Sequence, residues 1–121
     1  MNINIKSTNF NMTPDIQEHI TSKMSSVEKF LQAQPDEEVL VDFEIARSTH
    51  HKKGDVFRAE ANLTLKGIMH RAESTKADVR LAIDSVKDQI EKQIRRSKTR
   101  RFELFERGAR AIKSMLKRNN E

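Results

Sequence analysis

The sequence predicts an α+β sandwich of order β-α-β-β-β-α, a four-stranded sheet with two helices on one face. Three observations carry this expectation. Apolar residues recur at every second position in four short stretches, and at steps of 3 and 4 in two longer ones. The period-2 stretches are apolar on one side only, so both helices must cover the same sheet face. The chain has 121 residues, which suits one domain with a single modest core.

Each element has its own local signal. In residues 2–8, Ile3 and Ile5 alternate with polar neighbours, as in a half-buried strand. Thr13-Pro14-Asp15 reads as a helix start. Thr13 caps, Pro14 lacks only an N–H that would be unpaired anyway, and Asp15 favours the positive helix end. Ile16, Ile20, Met24, Val27 and Leu31 then share one face, which gives a first helix over 14–31. Residues 39–47 alternate, with Val39, Val41, Phe43 and Ile45 on the apolar side. Residues 48–55 form a polar loop. Residues 56–66 alternate again, with Phe57, Ala59, Ala61, Leu63 and Leu65 inward, and Gly67 marks a tight turn. Residues 68–74 return as a shorter strand with Ile68 and Ala72 inward. From 76 to at least 96 the period is helical, through Val79, Ile83, Val86, Ile90 and Ile94, with Ser74 or Thr75 as cap and Asp78 in the first turn. The last three strands suit an antiparallel meander. A right-handed crossover over the first helix would set the first strand parallel to the second.

Residues 101–121 form a separate basic, amphipathic extension. Phe102, Phe105, Ala109, Ile112 and Leu116 keep helical spacing there, but Gly108 costs about 1 kcal/mol in a helix. The expectation is a tail that is mobile in the free protein and ordered on a partner. The competing expectation is that it continues the second helix or packs on the sheet as a third helix.

Composition removes several function classes. There is no cysteine, hence no disulfide scaffold, thiolate zinc site or cysteine nucleophile. Without Trp or Tyr, a platform for stacking single-stranded bases is poorly supplied. With three glycines and no phosphate-cradling loop, a bound cofactor is not expected. No segment has the length and apolarity of a membrane span. The N-terminus lacks the charge and apolar pattern of a signal peptide, so the expected compartment is cytoplasmic.

The histidines suggest no chemistry. His50-His51 could bind a metal, but neither has a third ligand at recognisable spacing, and a solvated loop fits better, so no metal is expected. His19 lies off the apolar stripe of the first helix. His70, alternating with the inward positions of its strand, reads as a buried histidine hydrogen-bonded to backbone. Asp78, Asp84, Asp88 and Glu91 read as an exposed helix face, with Asp88–Lys92 and Glu91–Arg95 as i,i+4 pairs. No nucleophile, base and orienting group come together, and the chain is not expected to be an enzyme.

Charge is the informative signal. The formal net charge is +5, but residues 92–118 carry +9 and residues 1–91 carry −3. Lys92, Arg95, Arg96, Lys98, Arg100 and Arg101 put six cations in ten residues, off the Ile90–Ile94 stripe and therefore outward. Lys23 and Lys29 add cations from the first helix. Side by side, the helices would present one polyanion-binding face, strong through phosphate neutralisation and poor in sequence information. The alternative reading of the same charges is a solvated face at a cation-attracting helix C-terminus.

Two segments in order resemble a known family. INIKSTNFNMTPDIQEHITSKMSSVEKFL is similar to the first strand and helix of the ribosome hibernation-promoting factor and ribosome-associated inhibitor family, with Thr13-Pro14 at the helix start and Lys23, Glu28 and Lys29 towards its end. HRAESTKADVRLAIDSVKDQIEKQIRR resembles the family's second helix, through Ala82-Ile83-Asp84, Ile90-Glu91-Lys92-Gln93 and Arg96. Gln89 stands where many members have Lys, and Arg80 where Tyr is common. The resemblance covers about residues 1–100 and implies a fold similar to a double-stranded-RNA-binding domain. It implies a short-form, non-enzymatic translation inhibitor in the decoding region of the small ribosomal subunit, excluding mRNA and tRNA from idle ribosomes. The family's basic positions fall on Lys23, Lys29, Lys92, Arg96 and Arg100. The expected partners are the small subunit and its rRNA, with no membrane and no small-molecule substrate, and a monomer off the ribosome. A general duplex-RNA binder and a regulator acting through its tail helix are the other readings.

Overall fold

A computed structural model describes residues 1–49 and 54–119, with the side chains of 101, 102 and 117–119 left out. Six elements run in the expected order: β1 (Asn2–Thr8), α1 (Pro14–Leu31), β2 (Val39–Ser48), β3 (Val56–Leu65), β4 (Ile68–Lys76) and α2 (Val79–Asn119). The sheet order is β1-β2-β3-β4. β1 lies parallel to β2, with Ile3 opposite Val41 and Ile5 opposite Phe43, and α1 is the crossover between them. β2, β3 and β4 form the antiparallel meander. Lys66 and Gly67, both at positive φ, close the two-residue β3–β4 hairpin, whose turn needs left-handed backbone at both positions.

The core is where the two periodicities meet. Ile16, Ile20, Met24 and Val27 of α1 and Ala82, Ile83, Val86, Ile90 and Ile94 of α2 are buried against Val41, Phe43, Ile45 and Leu63 of the sheet. Ala59, Ala61 and Ala72 are small, so α2 approaches β3 and β4 with Cα atoms within 8 Å. Phe57, half-buried, packs edge-to-face on Phe10, ring centroids 5.8 Å apart.

Several expectations need correction. The second helix begins at Val79, and its cap is Asp78, not Ser74 or Thr75. The Asp78 Oδ1 accepts from the Arg80 N–H at 2.8 Å and the Leu81 N–H at 3.3 Å. Ser74 and Thr75 are still paired with Ala59 and Arg58 in β4, so their backbone is extended. Ile68 is exposed beside the hairpin turn, and His70 is half-buried. For the tail, the competing expectation describes the backbone: α2 continues through Gly108 to Asn119 without a break at 101. The last buried residue of α2 is Ile94, and all described side chains over 103–116 are exposed. His50 and His51 lie outside the described residues.

Candidate nucleic-acid interface

The domain offers two broad surfaces, the outer sheet face and the helical layer. The sheet face is electrostatically closed. Arg58 bridges Glu73 at 2.5 Å and Glu60 at 2.6 Å, Arg71 reaches Glu60 at 3.3 Å, and Lys6 lies 3.9 Å from Glu44. The Glu73 hydrogen bond holds the Arg58 guanidinium above its ordinary range, and Arg58 in turn holds the Glu73 carboxyl below its own. Among the described residues, Lys6, Arg58 and Arg71 on this face each have a carboxylate partner.

The helical layer differs, and the eight expected contact residues divide there. Lys29, Lys92, Arg96 and Arg100 are exposed, and no ion pair or hydrogen bond engages them among the described residues. Lys92 and Arg96 are one turn apart on the crest of α2. Arg96 and Arg100 line a groove with His70, Gln93, Ser97 and Leu104.

Three others are committed within the fold. The Lys98 ammonium donates to the Phe30 carbonyl at 2.7 Å and lies 4.9 Å from the Phe30 ring centroid. Its role is to satisfy a carbonyl left unpaired at the end of α1, where cations are also favoured by the helix dipole. Arg95 stacks on the same ring, 5.4 Å from its centroid. Lys23 is 3.6 Å from Asp84, which also takes the His19 Nε2 at 2.8 Å. The eighth, Arg101, has a side chain outside the described set.

The acidic residues of α2 also differ from the exposed i,i+4 pairs that the sequence suggests. Asp84 ties α2 to α1, and Glu91 pairs with Lys87 at 3.4 Å instead of with Arg95, which is engaged on Phe30. Gln89 and Gln93 donate from α2 to the β4 carbonyls of Glu73 and Arg71, at 3.1 and 2.6 Å. Gln89 thus holds the helix to the sheet where a Lys would offer a cation. Phe30, one residue from the end of α1, lies off the stripe through Val27 and Leu31, so helical periodicity does not single it out. Its nearness to a run of cations leaves no trace in sequence spacing.

The α+β sandwich thus carries its unpaired cations on the helical layer and paired charges on the outer sheet face, among the described residues. Residues 3–101 match the family described as Sigma 54 modulation protein / S30EA ribosomal protein, and the chain belongs to that family. Two curated relatives, each called "Ribosome hibernation promotion factor", are 27% identical in Bacillus subtilis and 28% identical in Deinococcus radiodurans over 100 residues. In both cases the match takes in 83% of this chain and 50% of the relative, so the chain spans about half the length of these proteins. Among solved structures, the Thermus thermophilus Protein Y N-terminal domain is similar with TM-score 0.66 and 26% identity, over 79% of this chain and 98% of that one. A ribosomal subunit interface protein from Coxiella burnetii shares the fold at TM-score 0.63 and 17% identity, over 82% and 99% of the two chains.

Proposed function

We propose that this protein is a ribosome-binding hibernation factor that occupies the decoding region of the small subunit and sterically excludes mRNA and tRNA from idle ribosomes. The observation that carries this reading is the exposed, unpaired set Lys29, Lys92, Arg96 and Arg100 on the helical layer. Family membership and the names of the two curated relatives support the ribosome as the polyanion. The protein works by occupancy in the cytosol, held by rRNA phosphates, and performs no catalysis. Phosphate contacts give affinity and orientation without base readout, which suits a ligand met at one fixed place.

Co-sedimentation with purified small subunits tests the reading, with tRNA and mRNA as competitors. Saturable binding that both competitors displace is the expected result. Equal affinity for free RNA duplexes would instead support a general duplex-RNA binder with the same fold.

A further inference from the structure

The overhanging part of α2 has an apolar face that no described residue covers. Leu104, Phe105, Ile112, Met115 and Leu116 are between 61% and 75% exposed. Phe105, Ile112 and Leu116 follow Ile94 by intervals that return within about 40° of the same side of the helix. Ile94 faces the sheet, so the exposed stripe prolongs the buried face of α2 past the end of the sheet. The body thus forms a step beneath the overhang, about one helix diameter (~10 Å) deep. A flat surface would meet the body before the stripe, whereas a single helix fits the step.

We infer that the occupant is the same overhang of a second copy, packed antiparallel about a two-fold axis between Gly108 and Ala109. Three observations choose this partner. A Cβ at Gly108 would meet nothing within 4 Å, so the single chain gives no reason for a helix-interior glycine that costs about 1 kcal/mol. At a helix crossing, the missing side chain lets two backbones approach. The same axis sets Phe105 opposite Ile112 in both directions, the self-complementary contact that two-fold symmetry requires. It also brings Glu106 within one turn of the other copy's Lys113 on the same flank, while Arg107 and Arg110 lie on the far side of each helix. A parallel pair would set each charge against its like. Five apolar side chains at roughly 100 Å² apiece give about 1,000 Å² for the pair, the threshold of a specific interface. The inference does not rest on the ribosome reading, and it departs from the monomer expected off the ribosome.

Sedimentation equilibrium of the 121-residue protein, from about 1 to about 200 µM, tests it. The expected result is a reversible dimer whose Kd rises at least tenfold in Ile112→Asp. Gly108→Leu is the second variant. It improves helix propensity, so at least a tenfold weaker dimer with undiminished helical circular dichroism cannot come from a melted overhang. Because the chain has no cysteine, introduced ones report the geometry. Ala109→Cys should oxidise to a crosslinked dimer, whereas Leu116→Cys, about 22 Å from its mate along the axis, should not. A monomer across the whole range overturns the inference, whether or not it binds anionic vesicles or another protein. So does a dimer indifferent to both substitutions, or equal crosslinking at 109 and 116.

Discussion

Lys98 of α2 closes the end of α1 by donating to the Phe30 carbonyl at 2.7 Å, across 68 residues of sequence. A side chain that reads as one more cation in a basic run is therefore a helix cap supplied from another helix. Lys98→Met should lower unfolding stability by about 1 kcal/mol, the net worth of one hydrogen bond. Arg96→Gln, two residues away and unpaired, should leave it unchanged within about 0.5 kcal/mol. Urea melts of the two variants provide the comparison, and equal midpoints would show that the Phe30 contact contributes nothing.

The free cations should govern ligand binding. Replacing Lys29, Lys92, Arg96 and Arg100 together by Gln should weaken small-subunit binding and flatten its dependence on salt by about four counterions' worth of slope. The circular dichroism of the fold should not change, because none of the four has a partner inside it among the described residues. An unaltered slope in a salt titration would remove this face from consideration.

The two helix caps give a stability prediction of a different kind. Thr13 Oγ1 accepts from the Ile16 N–H at 3.3 Å, a long bond, and Asp78 Oδ1 accepts from two N–H groups. Thr13→Ala should cost about 1 kcal/mol and Asp78→Ala at least as much, towards the upper end of the ~0.5–2 kcal/mol range for caps. Ser74→Ala and Thr75→Ala should be near neutral, since neither starts the helix. Thermal melts that reversed this order would contradict the cap assignment.

Acid should loosen the outer sheet face through Glu73. Its carboxyl titrates below the ordinary range because Arg58 stabilises the charged form. Whatever stability the pair contributes is complete above the unfolded carboxylate pKa and is lost as pH falls through the lower folded value. Arg58→Gln should move the Glu73 titration upward, back towards an ordinary carboxylate, as followed by side-chain carbonyl chemical shifts. A titration that stayed in place would assign the shift to something other than Arg58.

The sequence carries the sheet and helices well because their information is local. Val39, Val41, Phe43 and Ile45 announce a one-sided strand by alternation, and Gly67 announces a tight turn, whereas the positive φ of Lys66 beside it leaves no sequence signal. The start of α2 is ambiguous in sequence because Ser74, Thr75 and Asp78 are all acceptable caps. Only the continued pairing of β4 with β3 selects among them. The candidate site was legible as charge but not as availability. Which cations are free depends on contacts such as Lys98 with Phe30 and Lys23 with Asp84, and those pairs meet only once the two helices are laid side by side.

The two glutamine contacts on β4 bear on how the sheet ends. β4 is an edge strand, and its outward carbonyls at Arg71 and Glu73 are occupied by Gln93 and Gln89. An incoming strand would have to displace both amides before it could pair there, so this margin of the sheet is a poor template for edge-to-edge aggregation. Lys at position 89 would add a charge but leave the Glu73 carbonyl without its amide donor. Among the described residues no side chain of α2 guards the opposite margin, β1, and any growth of the sheet by strand addition should begin along Asn2–Thr8.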